Sequence, residues 1–457
     1  MNVEAELREK IAQAYRIVQL YRGLIDAYIV DFYRLSHWNR LPPCWSRCFA
    51  DIPIQQLPEL LSFDRRENEV HVWPLSVLTL RALFRQLVHT RSQPTEKPAS
   101  HSNVVFRQQT ALFQKSVKLK KRHEVEQFAI NCFHEPLGTC RTLVDVGSGQ
   151  GNLARTLGYG FGFRMCGLEQ EASFVHAARQ KDAELWRRLT KNDPTLQQSL
   201  INPVHLQARV DLQNIDPIGF EQMVRTALNL ETDGSPFQFG LIGLHPCGDL
   251  APSLLRLFLA CSGCRFVKLV CCCYMKLSVT DSVLKAAGNV DGFPLSNFCR
   301  NSDVRLSYEA REIACHAIEQ YREKLRADYH ELKVHAYRAA IESIIVRSRP
   351  DLQRSGLKGG IKAADVTFEE YCHRAVVGLG FSIPPEEIHS EETLANIARW
   401  EDVVKFYTLR LMFAPLIETI LLYDRLLFLH EKGLKARIDV LFDPYISPRN
   451  HAITAYK

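Results

Sequence analysis

The sequence LVDVGSGQGNLA occupies residues 143–154 and reads as a strand, a turn and the start of a helix. A buried strand is predicted to run into Asp145, and Gly147, Gly149 and Gly151 follow before the helix opens. Glycines at this spacing let the backbone turn tightly and let a ligand approach without meeting a side chain. The helix N-terminus presents free N–H groups. The stretch therefore predicts a ligand-binding turn.

Short apolar runs alternate with helical stretches around this turn. The runs predict strands, and the alternation predicts a parallel sheet that helices cover on both faces, with right-handed crossovers. The five predicted strands are Thr142–Val146, Arg164–Leu168, Val204–Gln207, Phe239–Leu244 and Phe266–Cys271.

The alternation stops after the fifth strand, and helical patterns replace it. These patterns lie around Glu309–Arg326, Ala336–Arg347 and Phe368–Val377. The chain then returns with a long helix at Phe406–Lys432, a glycine cap at Gly433, and strands at Ala436–Leu441 and Asn450–Tyr456. We expect a helical insertion after strand five and an antiparallel pair of strands at the end.

At 457 residues the chain exceeds the size at which a single hydrophobic core stops growing. Apolar residues at helical spacing between Val3 and Tyr33 predict one or two amphipathic helices. The predicted units are an N-terminal helical unit at 1–100, the first part of the sheet domain at 101–290, a helical insertion at 291–400 and the last part of the sheet domain at 401–457.

Composition limits the compartment and the class of partner. Lys and Arg exceed Asp and Glu by 57 − 51 = 6, which permits contact with nucleic acid without requiring it. The start, MNVEAELREK, lacks the apolar core of a signal peptide, and no apolar run is long enough and uncharged enough to span a bilayer. We expect a cytoplasmic or nuclear protein with reduced cysteines, neither secreted nor transmembrane.

Two ligands compete for the glycine turn. The sequence GQGNLA at 149–154 satisfies the dinucleotide pattern G-x-G-x-x-A, and Glu169 follows at the distance of a ribose-binding acid. The turn alone therefore leaves a nicotinamide dehydrogenase open. Asp145 before the first glycine, the antiparallel end of the sheet and the residues after strand four favour a methyltransferase that uses S-adenosyl-L-methionine.

Several motifs together resemble one family. DVGSGQG, with an acid closing the next strand, resembles the first two motifs of class I S-adenosylmethionine-dependent methyltransferases. The set KKRHEV (120–125), DVGSGQG (145–151), GLHPCGDL (243–250), CCCYMKLS (271–278), REIACHA (311–317), YRAAIE (337–342) and ISPRN (446–450) resembles the methyltransferase-like protein 25 family. The resemblance implies an α/β fold with a Rossmann-like seven-stranded class I methyltransferase sheet, an N-terminal helical unit and a helical insertion.

A second resemblance concerns the strand ends alone. The H-x-C-G arrangement after strand four and the cysteine-rich end of strand five resemble the tRNA 2′-O-methyltransferases that act on the acceptor stem. Those enzymes carry Cys-Cys-His-His where this chain has Cys272-Cys273-Tyr274-Met275. They also have an N-terminal cysteine and histidine zinc module that this sequence lacks.

The methyltransferase resemblance assigns cofactor roles to specific residues. Asp145, with the three glycines Gly147, Gly149 and Gly151, is expected to hold the methionine half of the cofactor, its carboxylate receiving the ammonium group directly or through water. Glu169 is expected to accept hydrogen bonds from the ribose hydroxyls. Asp211, after strand three, is expected to recognise the adenine amino group.

Four residues near the ends of strands four and five are catalytic candidates. His245, Cys247 and Asp249 follow strand four, where many methyltransferases place the substrate nucleophile, and Tyr274 is expected to line the pocket. Methyl transfer depends mainly on alignment, and a base helps where the nucleophile must lose a proton. His245 is the candidate base. The alternative is a structural histidine that bonds the loop backbone.

The cysteines around strand five raise the question of a zinc site. Cys261 and Cys264 form a C-x-x-C pair, which is half of a common ligand set. Consecutive cysteines on a strand point to opposite faces, so Cys271, Cys272 and Cys273 cannot all face one metal unless the strand has ended. We predict small buried thiols and no metal.

A basic run precedes strand one. Lys115, Lys118, Lys120, Lys121 and Arg122 are predicted to lie on or before a helix beside the cofactor cleft, where they would steer a phosphate-bearing substrate such as RNA. The alternative is an ordinary solvated face.

Three functions remain open on the sequence. The first is a methyltransferase acting on RNA, either rRNA or tRNA. The second is a protein methyltransferase whose helical units bind a protein partner. The third is a non-catalytic cofactor-binding interaction protein, since fold does not guarantee activity. The strand-four loop reads HPCG rather than the Asn-Pro-Pro-Tyr or Asp-Pro-Pro-Tyr of amino methyltransferases, which counts against base N-methylation.

Overall fold

A computed structural model describes residues 3–63, 71–93, 105–137, 140–210, 216–230, 237–279 and 292–457. The strands are β1 (Thr142–Val146), β2 (Arg164–Glu169), β3 (Val204–Gln207), β4 (Phe239–Cys247), β5 (Cys264–Cys272), β6 (Lys435–Val440) and β7 (His451–Tyr456). The α-helices are α1 (Val3–Leu20), α2 (Arg22–Ile25), α3 (Pro43–Asp51), α4 (Leu75–Leu87), α5 (Val105–Gln108), α6 (Thr110–Gln114), α7 (Leu119–His134), α8 (Asn152–Arg155), α9 (Ala172–Asn192), α10 (Pro217–Ala227), α11 (Leu250–Ala260), α12 (Asn297–Asn301), α13 (Tyr308–Ile313), α14 (Ile318–Ala327), α15 (Lys333–Ser348), α16 (Phe368–Ala375), α17 (Pro385–Ile388), α18 (Glu391–Ala398), α19 (Trp400–Leu411) and α20 (Ala414–His430).

The strands form one seven-stranded sheet in the order β3-β2-β1-β4-β5-β7-β6. Strands β1 to β5 are parallel, and β7 runs antiparallel to both β5 and β6. The chain winds from β1 toward β3 on one side and resumes with β4 on the other, so β1 and β4 flank the point where strand order reverses. Open α/β sheets bind ligands at this point. The predicted Rossmann-like class I sheet and its antiparallel end are confirmed.

The sheet forms because its central strands are apolar on both faces. Every residue of β1 is buried, as expected for a parallel strand covered by helices on both sides. One core cluster joins Leu143 of β1 and Phe266 of β5 to Phe128 of α7 and Leu153 of α8. The helices before and after β1 therefore pack on the same strands, which fixes the glycine turn between them.

A buried ion network ties the antiparallel end to the rest of the sheet. Lys268 of β5 has no exposed surface, and its Nζ lies 2.6 Å from Glu135 Oε1 and 3.0 Å from Asp439 Oδ2 of β6. Arg437 donates to the same Glu135 carboxylate at 2.8 Å. Arg437 also lies 2.7 Å from Asp439 Oδ1, so the two carboxylates share two cations, of which Lys268 is the buried one.

The chain divides into two compact units. The first contains the sheet and comprises Met1–Glu9, Thr90–Arg305 and Leu421–Lys457, and the second comprises Lys10–His89 and Leu306–Ile420. The sequence analysis treated the N-terminal helical unit and the helical insertion as separate units. In the structure, most residues of each belong to the second unit. Buried Arg410 shows why, since it donates to the Ile25 carbonyl at 2.9 Å and to the Glu309 carbonyl at 3.0 Å.

The prediction of one continuous helix at Phe406–Lys432 is wrong, because α19 ends at Leu411 and α20 begins at Ala414. Pro415 lacks the amide hydrogen that an unbroken helix would donate to the carbonyl of Leu411.

The predicted cap at Gly433 is confirmed, with φ +74° and its amide donating to the His430 carbonyl at 2.8 Å. Within the described ranges, no helix has the length and apolar character needed to cross a bilayer.

We predict that Lys268→Met lowers the free energy of unfolding by ~3–5 kcal/mol, because it removes the buried one of the two cations that Glu135 and Asp439 share and leaves only the more exposed Arg437 beside them. Chemical denaturation monitored by circular dichroism measures this change. The control is Lys432→Met at an exposed position, which should alter stability by less than ~0.5 kcal/mol. Equal stability of the two variants would mean that the network contributes no net stabilisation.

Candidate functional site

The predicted site residues lie at the carboxyl edge of the sheet, where the parallel strands end. β1 ends at Val146 and β2 at Glu169, while β4 and β5 end at Cys247 and Cys272. All the strands named here run in one direction. The sheet therefore brings the glycine turn, the ribose-binding candidate and the cysteine-containing loops to one edge.

The glycine turn differs between its outer and inner positions. Gly147, Gly149 and Gly151 all have positive φ, at +77°, +54° and +71°, a region that side chains rarely adopt. A Cβ at Gly149 would meet nothing within 4 Å, whereas a Cβ at Gly151 would lie 2.6 Å from His205 Cε1. The turn is thus packed against the protein at its inner end and open at Gly149, where a ligand has room to approach.

Glu169 holds the open part of the turn. Its Oε2 accepts a hydrogen bond from the Gly149 amide at 2.8 Å, and its Oε1 accepts one from the Glu171 amide at 3.1 Å. Each carboxylate oxygen can accept a further bond. Glu169 therefore fixes the turn and still has acceptor capacity for hydroxyl groups of a ligand.

Asp145 is a buried carboxylate with 2% of its surface exposed. Burial raises its pKa to about 7 and Glu169 adds to the increase, while Lys121 and His205 oppose it. Among the described residues, none donates a hydrogen bond to this carboxylate. Ser148 Oγ and His205 Nδ1 are also buried without a partner there. This cluster of unsatisfied polar atoms suits a polar, cationic ligand group.

Three buried residues that the sequence analysis did not identify support the turn from behind. Arg155 Nε lies 2.8 Å from Asp182 Oδ1, and His205 Nε2 lies 2.7 Å from Asp182 Oδ2. Arg155 also donates to the Gln150 carbonyl at 2.6 Å. In the sequence, only Arg155 indicated this support, because it stands at an inward position of the apolar stretch that follows Gly151.

The strand-four loop begins within β4, whose pairing with β5 is irregular between Leu244 and Cys247, and this segment holds His245 in a specific orientation. Its φ of +72° is unusual for a residue with a side chain, and strain of this kind is concentrated at functional sites. His245 Nε2 lies 2.9 Å from Glu124 Oε1, and Ser447 Oγ donates to the same oxygen at 2.7 Å. Although burial opposes it, the contacts with His245, Ser447 and Lys120 lower the pKa of Glu124 to about 2. The ionised Glu124 therefore accepts a hydrogen bond from Nε2–H, which selects the tautomer in which Nδ1 is the acceptor when the imidazole is neutral.

The sequence analysis did not identify Glu124 or Ser447 as functional residues, although both lie inside motifs that carried the family resemblance, KKRHEV and ISPRN.

Two other catalytic candidates, Asp249 and Tyr274, have surroundings that differ from those of His245. Asp249 Oδ1 accepts a hydrogen bond from the Ser278 amide at 2.8 Å, so it joins two loops. Tyr274 is fully buried, with the Arg425 guanidinium 5.5 Å from its ring centre. Asp211 lies outside the described residues.

The cysteines divide into two groups. Cys261, Cys264 and Cys271 are buried. Cys247 Sγ lies 3.3 Å from the sulfur atoms of both Cys272 and Cys273, and we call these three residues the thiol cluster. Hydrogen bonds with Cys272 and Cys273 lower the pKa of the Cys247 thiol below its ordinary value.

The basic run lies partly in a groove beside the glycine turn. Lys115, Lys118 and Lys121, together with Lys181 of α9, line a cavity of about 320 Å³ that also contacts Gln150 of the turn. We call these four lysines the basic groove. Lys120 instead lies 3.7 Å from Glu124, and Arg122 bonds the Val117 carbonyl. Only part of the predicted run therefore faces one surface.

Comparison with known proteins finds methyltransferases that are similar to part of the chain. A family model described as "Methyltransferase domain" matches residues 120–280. The human and mouse proteins named "Probable methyltransferase-like protein 25" are 32% identical to the chain over 223 and 224 residues, 48% of its length. The alignments cover 36% and 37% of those relatives, so the chain spans about a third of their length. A solved structure of the plantazolicin methyltransferase BpumL in complex with SAH matches with 10% identity over 65% of this chain and 82% of its own, at a TM-score of 0.20.

The resemblance to methyltransferase-like protein 25 is thereby confirmed over about half of the chain. Residues 120–280, which match the methyltransferase-domain model, carry the glycine turn, Glu169, the strand-four loop and the thiol cluster.

Proposed function

We propose that the chain is an S-adenosylmethionine-dependent methyltransferase that acts on RNA. The observation that carries the cofactor assignment is the arrangement of Asp145, the open Gly149 and Glu169 at one edge of the sheet. Asp145 would receive the cofactor's ammonium group, the backbone at Gly149 would contact its methionine part, and Glu169 would accept from the ribose hydroxyls. When bound, the cofactor supplies an electrophilic methyl group on a sulfonium.

His245 is proposed to act on the substrate side. Glu124 accepts a hydrogen bond from Nε2–H and so orients the ring, and Nδ1 of the neutral imidazole can then accept a proton from the attacking group. A base is useful for a hydroxyl nucleophile, which must lose a proton on methylation. The HPCG sequence of the loop supports an oxygen nucleophile over a base amino group, and a ribose hydroxyl of RNA fits this requirement.

The basic groove supports RNA over a protein substrate. Lys115, Lys118 and Lys121 form no ion pair with a described residue, so their charge is available to phosphates. The groove contacts Gln150 of the cofactor turn, so a nucleic acid bound there would lie beside the reacting groups.

Cofactor affinity should depend on pH through Asp145. Its pKa of about 7 in the free protein must fall when a cationic ammonium binds, so binding releases a proton wherever the free carboxyl is protonated. Affinity for S-adenosylhomocysteine should therefore be constant above about pH 8 and weaken toward ~10-fold per unit below about pH 7. Isothermal titration calorimetry measures this profile.

Two variants test the origin of this profile. Asp145→Asn should weaken binding and remove the pH dependence, whereas Asp351→Asn, at an exposed position, should leave both unchanged. A wild-type affinity that stays constant down to about pH 6 would contradict the proposed contact.

Catalysis should depend on His245 and Glu124 without a matching effect on cofactor binding. His245→Ala should lower the rate of methyl transfer by ~10²–10⁴-fold, and Glu124→Gln should lower it less and shift its pH profile. Radiolabelled methyl transfer into RNA from cells that lack the protein measures the rate. Label that survives RNase but not protease would indicate a protein substrate, and cofactor binding without any label would indicate a non-catalytic protein.

RNA affinity should depend on the basic groove in a salt-sensitive manner. Replacing Lys115, Lys118 and Lys181 with Ala should weaken RNA binding and reduce the slope of log affinity against log salt by ~2, since each phosphate contact contributes ~0.7 for a single strand. Replacing the exposed Lys358, Lys432 and Lys435 with Ala changes the net charge equally. Equal losses from the two triple variants in a fluorescence anisotropy titration would argue against the groove.

A further inference from the structure

The thiol cluster is a set of three potential metal ligands at the end of two adjacent strands. The sulfur atoms of Cys247, Cys272 and Cys273 all lie within 4.8 Å of one another. Cys247 is exposed, Cys273 is partly exposed and Cys272 is buried. In the part of the chain that the structure describes, no other group of three histidine, cysteine or acidic residues has this geometry.

The backbone explains how consecutive cysteines reach the same point. Cys247 and Cys272 are paired in register at the ends of the parallel strands β4 and β5. Strand β5 ends at Cys272, and Cys273 has a φ of +48°, in the left-handed region. This turn cancels the alternation of side chains that a strand would impose, so Cys272 and Cys273 both contact Cys247.

The loop and the strand tail are held together by a close backbone contact. Gly248 has a φ of +56°, and a Cβ at this position would lie 2.9 Å from the Lys276 carbonyl oxygen. The residue after Cys247 is therefore packed directly on the segment that follows Cys273. A pre-arranged set of donors binds a metal more tightly than a flexible set, because less conformational entropy is lost on binding.

We propose that Cys247, Cys272 and Cys273 bind a single Zn²⁺ ion through their thiolates. Sulfur ligands select soft or borderline ions, and Zn–S bonds of ~2.3 Å in tetrahedral geometry separate the sulfur atoms by about 3.8 Å. The observed separations of 3.3 Å from Cys247 to its two neighbours require only a small expansion of the cluster. Each thiol loses its proton to solvent as its sulfur coordinates the ion.

Three protein ligands leave the fourth position of a tetrahedral ion for water or another small molecule. His245, two residues before Cys247, does not fill it through Nε2, because that atom is bound to Glu124 at 2.9 Å. Since Cys247 is exposed, the open position would face solvent. This zinc site is independent of the proposed methyltransferase function, because it rests on sulfur positions alone.

Metal content of the full chain, purified without a metal-binding tag or chelator, tests the proposal. Mass spectrometry of the native protein and elemental analysis should both find ~1 zinc per chain. Replacing zinc with Co²⁺ should give the thiolate-to-cobalt charge-transfer absorption in the near ultraviolet, together with the visible bands of a tetrahedral site.

Matched variants identify the ligands. Cys247→Ser combined with Cys273→Ser should remove the zinc and the cobalt spectrum, because one cysteine cannot hold the ion alone. Cys44→Ser, which changes an exposed cysteine outside the cluster, should retain both. Circular dichroism and a cooperative thermal unfolding transition establish that the double variant is folded.

Three results would overturn the zinc site. The first is a folded wild-type protein that carries no zinc and gives no cobalt spectrum. The second is a disulfide between two of the three cysteines in freshly purified protein, seen as the loss of two hydrogens. The third is stoichiometric zinc that survives in the folded double variant.

Discussion

The hydrogen bond from the Gly149 amide to Glu169 joins the ends of β1 and β2, and the geometry of the site depends on it. β1 is followed by Gly147, Gly149 and Gly151, and glycine loses more backbone entropy on ordering than any other residue. The turn is fixed from the front by Glu169 and from behind by the buried Arg155, Asp182 and His205. A rigid backbone turn with its open side at Gly149 is the result, and a ligand can use it without ordering it first.

The two sides of this sheet edge have different chemistry. On the side of β2, the buried carboxylate of Asp145 and the acceptor capacity of Glu169 suit a ligand with an ammonium group and hydroxyls. On the side of β4 and β5, an oriented histidine and three clustered thiols lie at the strand ends, where His245 and Cys273 are left-handed residues other than glycine. A methyl donor and its acceptor need such separate but adjacent surfaces, because alignment supplies much of the rate.

The sequence predicted the central strands well because buried parallel strands are short apolar runs with clear boundaries, as in Thr142–Val146. It also predicted that Asp145 and Glu169 lie together, since parallel strands end at one edge. It did not predict which distant side chains meet. Glu124 and Ser447, which orient His245, are 323 residues apart, and no local pattern links them. The left-handed turn at Cys273 also had no local signal, because a residue other than glycine adopts it.

A structure of the chain with S-adenosylhomocysteine tests the proposed binding mode most directly. The mode predicts the ligand's amino group within ~3.2 Å of the Asp145 carboxylate, directly or through one water, and both ribose hydroxyls within that distance of Glu169. A ligand bound away from Gly149, or a ribose that makes no contact with Glu169, would contradict it.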